Sequence, residues 1–222
     1  SGVKIMWTNY PNMPTGAAAS EELYAKLVDF GRRHGILICN DNPYSFILND
    51  RPLSILAQPG AKECCLELNS LSKAHNMAGW RIGMVAAEPE VISEILKVKS
   101  QMDSGMFKPL QVAAVEALSQ GPEWFAELNA EYARRRVLAG EIFDMLGAEY
   151  DHDSTGMFLW GRVGQAGAEV SDKLLYEAGV FITPGFIFGK NGEDYIHISL
   201  CSKPEVLKRA AEKIKAVIRN VK

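Results

Sequence analysis

One lysine of this chain lies in a turn-like segment that also supplies two hydroxyl groups and an arginine. Residues 70–83 read SLSKAHNMAGWRIG, so Lys73 follows Ser70 and Ser72 and precedes Arg81. Hydroxyls and a guanidinium suit a phosphate group, because a guanidinium can donate two parallel hydrogen bonds to it. An amine beside that phosphate can act as a nucleophile. A lone loop lysine is ordinarily a surface charge and a serine can bond its own backbone, so only the combination indicates a reactive site.

Further polar residues follow apolar runs elsewhere in the chain. Residues 36–39 are continuously apolar and lead into Asp41, with Tyr44 three positions later. Taken alone, an aspartate at a strand end is typical of an Asx turn. Asn12 and Ser70 also follow strand-like runs, and ligands of parallel sheets bind at the carboxyl ends of the strands. We therefore expect these three polar side chains at one edge of a sheet.

The lysine segment resembles the signature of class I/II aminotransferases, the aspartate-aminotransferase-like enzymes of pyridoxal-5′-phosphate (PLP) fold type I. The pattern that carries the resemblance is S-x-S-K-x-x-x-x-x-G-x-R-x-G. It implies that Lys73 is the catalytic residue, which forms a Schiff base with PLP. It also implies that Ser70 and Arg81 bind the cofactor phosphate, with Ser72 adding a hydroxyl.

Two other segments resemble cofactor-binding elements of the same family. Residues 41–44 are similar to its D-x-x-Y element, which implies that Asp41 pairs with the pyridine nitrogen and Tyr44 with the 3′ oxygen of PLP. A carboxylate at that nitrogen keeps the ring an electron sink. Residues 10–16 resemble the family's N-P-T-G turn, but Met13 stands where an asparagine normally reaches the 3′ oxygen. Either Asn12, one residue earlier, takes over that contact or the contact is lost.

A strand-like segment at residues 195–200, YIHISL, resembles the family's Y-I-R-I-S-L strand. The family's arginine grips the α-carboxylate of the substrate, and His197 replaces it here. Histidine cannot form the two-pronged contact of a guanidinium and is only partly charged near neutral pH. His197 is therefore predicted either to bind substrate or to be a half-buried structural histidine.

The resemblance implies a transaminase that moves an amino group between an amino acid and a 2-keto acid, and a cytoplasmic homodimer as the full-length protein. It extends only over the C-terminal half of a family member, so we expect a truncated piece that binds PLP weakly or not at all and is inactive alone. His197 leaves open a PLP-dependent lyase or decarboxylase of the same fold. A non-catalytic PLP-binding regulator domain is the remaining alternative.

Apolar runs and helical patterns predict the elements that position these residues. Ser20 and Gly35 are expected to cap a helix over residues 21–34, with Leu23, Leu27 and Phe30 on one face. Alternating helices and fully apolar strands predict an α/β fold, with a mostly parallel sheet covered by helices on both faces. The pattern changes near residue 122, which predicts a cofactor-binding part over 1–121 and a smaller α+β domain over 122–222. The predicted strands of the first part are residues 3–8, 36–39, 64–68 and 82–87.

Composition excludes several other classes of protein. The 222 residues are 47% hydrophobic and 23% charged with a formal net charge of -3, which is typical of a globular protein and unlike a nucleic-acid binder. No apolar stretch approaches the roughly 20 residues that span a bilayer, so no membrane partner is expected. No metal-ligand spacing is present. The four cysteines are predicted to be buried reduced thiols, with the adjacent Cys64 and Cys65 on opposite faces of a strand.

Overall fold

The computed structural model describes residues 2–219, which form two compact units. The first contains the residues up to Pro11 together with Ala18–Phe125, and the second contains Asn12–Ala17 and the residues from Ala126 onward. The sequence placed a boundary at 121/122, and the assignment of functions to the two parts stays a prediction. No helix within the described residues is long and apolar enough to cross a membrane.

The described part of the first unit contains four strands, three helices and the first turn of a fourth helix, most of which belongs to the second unit. The strands are β1 (Ile5–Asn9), β2 (Leu37–Asp41), β3 (Cys65–Ser70) and β4 (Gly83–Ala86). The helices are α1 (Glu21–His34), α2 (Pro89–Met102), α3 (Lys108–Leu118) and α4 (Pro122–Leu146).

Helix α1 begins and ends where the sequence predicted. The hydroxyl of Ser20 accepts a hydrogen bond from the backbone N–H of Leu23, and Gly35 ends the helix in a left-handed conformation with φ of 60°. Of the three residues predicted to share a face, Leu27 packs as a partly buried side chain against the fully buried Tyr24 and Val28. Phe30, which the prediction had placed on that face, is exposed.

The sheet of the first unit is mixed. Its strand order is β1-β2-β3-β4, with parallel pairing of β1 with β2 and of β2 with β3, while β4 runs antiparallel to β3. The reversal follows from residues 71–82, which fold as a compact turn without the crossover helix that a parallel strand needs. On the two edge strands Trp7 of β1 is 66% exposed and Met84 of β4 is 59% exposed.

The second unit has an antiparallel sheet of order β5-β6-β8-β7. Its core contains large apolar side chains from both the helices and the sheet, including Phe143, Leu159 and Ile214. The strands are β5 (Glu149–Tyr150), β6 (Phe158–Arg162), β7 (Thr183–Pro184) and β8 (Tyr195–Ser199), and the further helices are α5 (Gly167–Lys173) and α6 (Pro204–Arg219).

The cysteines depart from prediction at two points. Cys39, Cys64 and Cys65 are buried free thiols, but Cys201 is exposed because it follows the end of β8 in a turn. Cys64 precedes β3, so the alternation of a strand does not apply to it, and its Sγ lies 3.8 Å from that of Cys65. Burial raises the pKa of the Cys65 thiol to about 12, which makes that thiol a poor nucleophile.

Candidate active site

Two predicted site residues end neighbouring strands. Asp41 is the last residue of β2 and Ser70 is the last residue of β3. Asp41 lies opposite Leu68 in the register of these strands, and the backbone N–H of Asn42 donates to the Leu68 carbonyl at 2.8 Å. The parallel pairing therefore brings both polar side chains to the same edge of the sheet, as the sequence predicted.

The turn that carries Lys73 is closed by its own backbone and by apolar side chains. The N–H of Leu71 donates to Ile82 at 3.2 Å, and the N–H of Met77 donates to Leu71 at 3.2 Å. These three residues are buried and pack against alanines and a leucine of α3. The turn is thus held at both ends, which limits where the Lys73 side chain can reach.

The first turn of α4 also binds the lysine turn. The indole N–H of Trp124 donates to the carbonyl of Ala74, the residue after Lys73, at 2.9 Å. The ring of His75 meets the ring of Phe125 edge-on at 5.5 Å, and burial lowers the pKa of His75. His75 therefore serves packing in this arrangement, next to the candidate lysine.

Four of the predicted cofactor ligands line one cavity of about 540 Å³ in the first unit: Asp41, Ser70, Ser72 and Arg81. The remaining wall is mainly apolar and comes from β4 and α2, with Lys99 as a further cation. A largely apolar cavity with a few convergent polar groups is typical of a small-molecule site, for which volumes of roughly 300–1,000 Å³ are usual.

Lys73 and Tyr44 lie together but are not among the residues that line this cavity. The Nζ atom of Lys73 lies 5.9 Å from the centre of the Tyr44 ring, within the range of a cation–π contact. Tyr44 is buried while Lys73 is half-buried. The aromatic ring therefore restricts the amine without removing it from solvent.

Arg81 has a backbone conformation that side-chain-bearing residues rarely adopt. Its φ is 56°, in the left-handed region, and its Nη1 donates to the carbonyl of Ala78 at 2.8 Å. Such a conformation costs roughly 1–3 kcal/mol and clusters at ligand sites. The Ala78 contact orients the guanidinium and leaves its other N–H groups for a ligand.

The surroundings of Asp41 disfavour its charged form. Partial desolvation by the surrounding residues raises the pKa of the Asp41 carboxyl above its ordinary value. A cation brought beside it would oppose that effect, because an opposite charge favours the ionised carboxylate. Asp41 is accordingly suited to a ligand that carries a proton on nitrogen.

Asn12, another predicted cofactor ligand, belongs to the second unit and folds its own turn. Its side-chain oxygen accepts from the hydroxyl of Thr15 at 2.6 Å and from the Thr15 N–H at 3.3 Å. Its backbone N–H donates to Ala17 at 2.8 Å. The structure thus accounts for Asn12 as a turn residue, and its role toward a cofactor stays a prediction.

His197 lies on β8 in the second unit within a group of aromatic rings. It is 7% exposed, and the centroids of Phe158 and Phe188 lie 4.8 Å and 4.9 Å from its own. Burial lowers the pKa of His197 to about 4, so the imidazole is neutral near pH 7. Its Nε2 is buried and has no hydrogen-bond partner among the described residues. The predicted substrate contact at His197 is untested.

Sequence reasoning missed a buried polar row beside Asp41. Thr8, Asn40 and Glu67 occupy matched positions on β1, β2 and β3 and are joined by hydrogen bonds. The available signal was an acidic residue inside an otherwise apolar strand, since Glu67 stands between Leu66 and Leu68. In the part of the chain that the structure describes, no group of acidic, histidine or cysteine residues could hold a metal ion.

The strand ends of this sheet carry a lysine turn, a carboxylate, and hydroxyl and guanidinium groups suited to a phosphate. This arrangement defines the class of PLP-dependent enzymes of fold type I. Within that class the chain belongs to the aminotransferase class I and II family, whose family model matches residues 1–214. The predictions of the family and of the α/β fold are therefore confirmed.

Curated relatives agree with this assignment. The chain is 42% identical over 215 residues to an LL-diaminopimelate aminotransferase of Natranaerobius thermophilus, covering 95% of this chain and 56% of the relative. It is 41% identical over 216 residues to the LL-diaminopimelate aminotransferase of Aquifex aeolicus, covering 96% and 56%. The chain thus spans a little over half the length of the curated relatives that it matches.

Solved structures show the same fold. BacF of Bacillus subtilis superposes with a TM-score of 0.90 at 34% identity, over 97% of this chain and 56% of that one. An aromatic aminotransferase of Pyrococcus horikoshii gives a TM-score of 0.90 at 30% identity, over 98% and 60%.

The donor set of the cavity fits PLP. Two hydroxyls and a guanidinium match a phosphate that carries nearly two negative charges, and the carboxylate of Asp41 matches a protonated ring nitrogen. The raised pKa of the Asp41 carboxyl is a feature that a neighbouring cation would oppose, because an opposite charge favours the carboxylate. The residues present are therefore compatible with this cofactor.

Proposed function

We propose that the protein is a PLP-dependent aminotransferase that moves an amino group between an amino acid and a 2-keto acid. The observation that supports it best is the meeting of Asp41, Ser70, Ser72 and Arg81 around one cavity, beside the turn that carries Lys73. LL-diaminopimelate is the first amino donor to test, because the curated relatives are named for it. A homodimer in the cytoplasm is the proposed form of the whole protein.

The side chains of the cavity would bind and orient the cofactor. Arg81 would hold the phosphate with two parallel charge-assisted hydrogen bonds, assisted by the hydroxyls of Ser70 and Ser72. Asp41 would keep a proton on the ring nitrogen, and the hydroxyl of Tyr44 would bind the 3′ oxygen. When bound, PLP supplies an electron sink for bonds at the α-carbon of the substrate.

Lys73 is proposed to have two roles at its Nζ atom. Nζ would hold the cofactor in the resting enzyme, and as a free amine it would move the proton of the substrate α-carbon. Proton transfer by a positioned base contributes typically 100- to 10,000-fold to the rate. The nearby Tyr44 ring and the anchored turn limit the motion of this amine.

The test compares Lys73→Ala with Lys62→Ala, a matched surface lysine, in the full-length protein. After incubation with PLP and reduction with borohydride, mass spectrometry should find the cofactor on the peptide containing Lys73 in the parent and in Lys62→Ala. Lys73→Ala should lose both that adduct and amino transfer to a 2-keto acid. An adduct on another lysine, or wild-type turnover by Lys73→Ala, refutes the assignment.

A second candidate is favoured by the neutral, buried imidazole at position 197. A PLP-dependent lyase or decarboxylase of the same fold needs the same lysine but tolerates different carboxylate recognition. A lyase releases pyruvate and ammonia without an amino acceptor, a decarboxylase releases carbon dioxide, and an aminotransferase forms a new keto acid only when an acceptor is present. PLP binding with none of these products would instead indicate the non-catalytic regulator.

A further inference from the structure

A row of three polar side chains crosses the first unit's sheet one residue before Asp41. In the strand register Thr8 lies opposite Asn40, and Asn40 lies opposite Glu67. The Thr8 hydroxyl donates to Oδ1 of Asn40 at 3.0 Å, and Nδ2 of Asn40 donates to Oε2 of Glu67 at 3.0 Å. Asn40 is fully buried and Glu67 is 8% exposed. Burying the Glu67 carboxylate costs free energy unless it is hydrogen-bonded. Its hydrogen-bond partners therefore determine where the side chain lies.

The row also binds two segments outside the sheet. The second N–H of the Asn40 amide donates to the hydroxyl oxygen of Tyr24 on α1 at 3.1 Å. Oε2 of Glu67 accepts a further hydrogen bond from the backbone N–H of Ile55 at 3.0 Å. Both N–H groups and the oxygen of the Asn40 amide are therefore used, and its side chain joins β2 to β1, to β3 and to α1.

Asp41 directly follows Asn40 on β2. The two residues are consecutive on β2, so their side chains point to opposite faces of the sheet. The Asn40 side chain is fixed by hydrogen bonds to both neighbouring strands. Two residues later, the backbone N–H of Asn42 donates to β3. The Asp41 carbonyl also accepts from Nδ2 of Asn9 at 2.8 Å, so the bonds of Asn40 and of its neighbours together fix this end of β2.

We propose that Glu67 is a positioning residue, which acts through Asn40 to hold the carboxylate of Asp41 at the cavity. The proposal rests on the proposed function, because it assigns Asp41 to the ring nitrogen of PLP. A carboxylate suits the role because a single oxygen of it accepts from both Asn40 and Ile55. A glutamine can present one oxygen to the same two donors, whereas a methionine cannot.

The test uses Glu67→Gln and Glu67→Met in the full-length protein, with Glu63→Met as a surface control. Glu67→Met should raise the dissociation constant of PLP about tenfold, which corresponds to losing one hydrogen bond to a charged group. It should lower kcat by about tenfold with KM changed less than about threefold, and shift the pH at which the bound cofactor changes its absorbance. Glu67→Gln should stay within about threefold of the parent in both kcat and PLP affinity.

Hydrogen exchange of the cofactor-free protein gives a readout independent of activity. The peptide that contains Asn40 and Asp41 should exchange faster in Glu67→Met than in Glu67→Gln or in Glu63→Met. If Glu67→Met does not fold, Thr8→Val carries the test, because it removes only the outer donor of the row and should shift the same absorbance midpoint.

Unchanged PLP affinity, absorbance midpoint and exchange in Glu67→Met, or an unchanged midpoint in Thr8→Val, overturns the proposal. So does a Glu67→Gln protein as impaired as Glu67→Met. If the parent protein binds no PLP, the proposed function fails separately, while faster exchange around Asp41 still supports the positioning role and unchanged exchange removes it.

Discussion

The titration of His197 should appear directly in the stability of the protein. The imidazole is 7% exposed among aromatic rings, and burial lowers its pKa from the ordinary 6.5 to about 4. The unfolded chain therefore binds a proton at higher pH than the folded chain does. Stability from the neutral His197 is fully present above pH 6.5 and is lost as the pH falls toward 4. The difference corresponds to about 3 kcal/mol at roughly 1.4 kcal/mol per pH unit.

The measurement compares the free energy of urea unfolding of the parent and of His197→Phe at pH 7 and at pH 4.5. Phenylalanine keeps a ring in the aromatic group and removes the titrating nitrogen, so the variant should lose less stability on acidification, by about 2 kcal/mol. His152→Gln is the control, because His152 is exposed and its replacement should leave the difference unchanged. An NMR titration of the folded protein should show the His197 ring protons unchanged down to about pH 5.

A midpoint for His197 near 6.5 in the folded protein would refute the reasoning, because it would mean that the imidazole reaches water or an anion. Equal losses of stability in the parent and in His197→Phe would refute it as well.

Two other substitutions test packing around the candidate site and in the second unit. Gly167→Ala would place a Cβ atom 2.0 Å from the backbone oxygen of Tyr195. The free energy of unfolding should therefore fall by about 3 kcal/mol, and the melting temperature measured by circular dichroism should fall with it. An unchanged melting temperature would show that α5 can move away from β8. Trp124→Phe removes the hydrogen bond to the Ala74 carbonyl and should lower the free energy of urea unfolding by about 1 kcal/mol. An unchanged value would mean that water replaces the indole.

The sequence predicted α1 to the residue but not the face that it buries. Its ends are set locally by the Ser20 cap and by Gly35, and local signals can be read without the rest of the fold. The buried face depends on what the helix contacts. Gly31 allows close approach to the strand that follows, since a Cβ atom there would lie 2.9 Å from the Ile36 carbonyl oxygen. Tyr24 and Val28 are fully buried on that side, and the predicted Leu27 packs beside them as a partly buried side chain.

The candidate site likewise contains residues that local sequence signals predict and residues whose contacts depend on the rest of the fold. Lys73 and Arg81 lie within one short segment whose spacing can be read directly, and the prediction that Asp41 and Ser70 share an edge needed only the order of the strands. The bonds of Asn40 to Thr8 and Glu67 depend on strand register, which a single sequence specifies poorly when polar residues lie in buried strands. The residues that support the site were therefore harder to predict than the residues that form it.

The position of His197 bears on how a substrate carboxylate could be recognised. Its Nε2 is buried and the ring centroids of Phe158 and Phe188 lie 4.8 Å and 4.9 Å from its own, so an α-carboxylate bound there would have aromatic neighbours. A neutral imidazole would then offer one hydrogen bond where a guanidinium offers two. If His197 does bind the carboxylate, His197→Phe should raise KM for the amino donor without a matching loss of kcat. If it is a packing residue, KM should stay the same, and carboxylate recognition must come from another group of the protein.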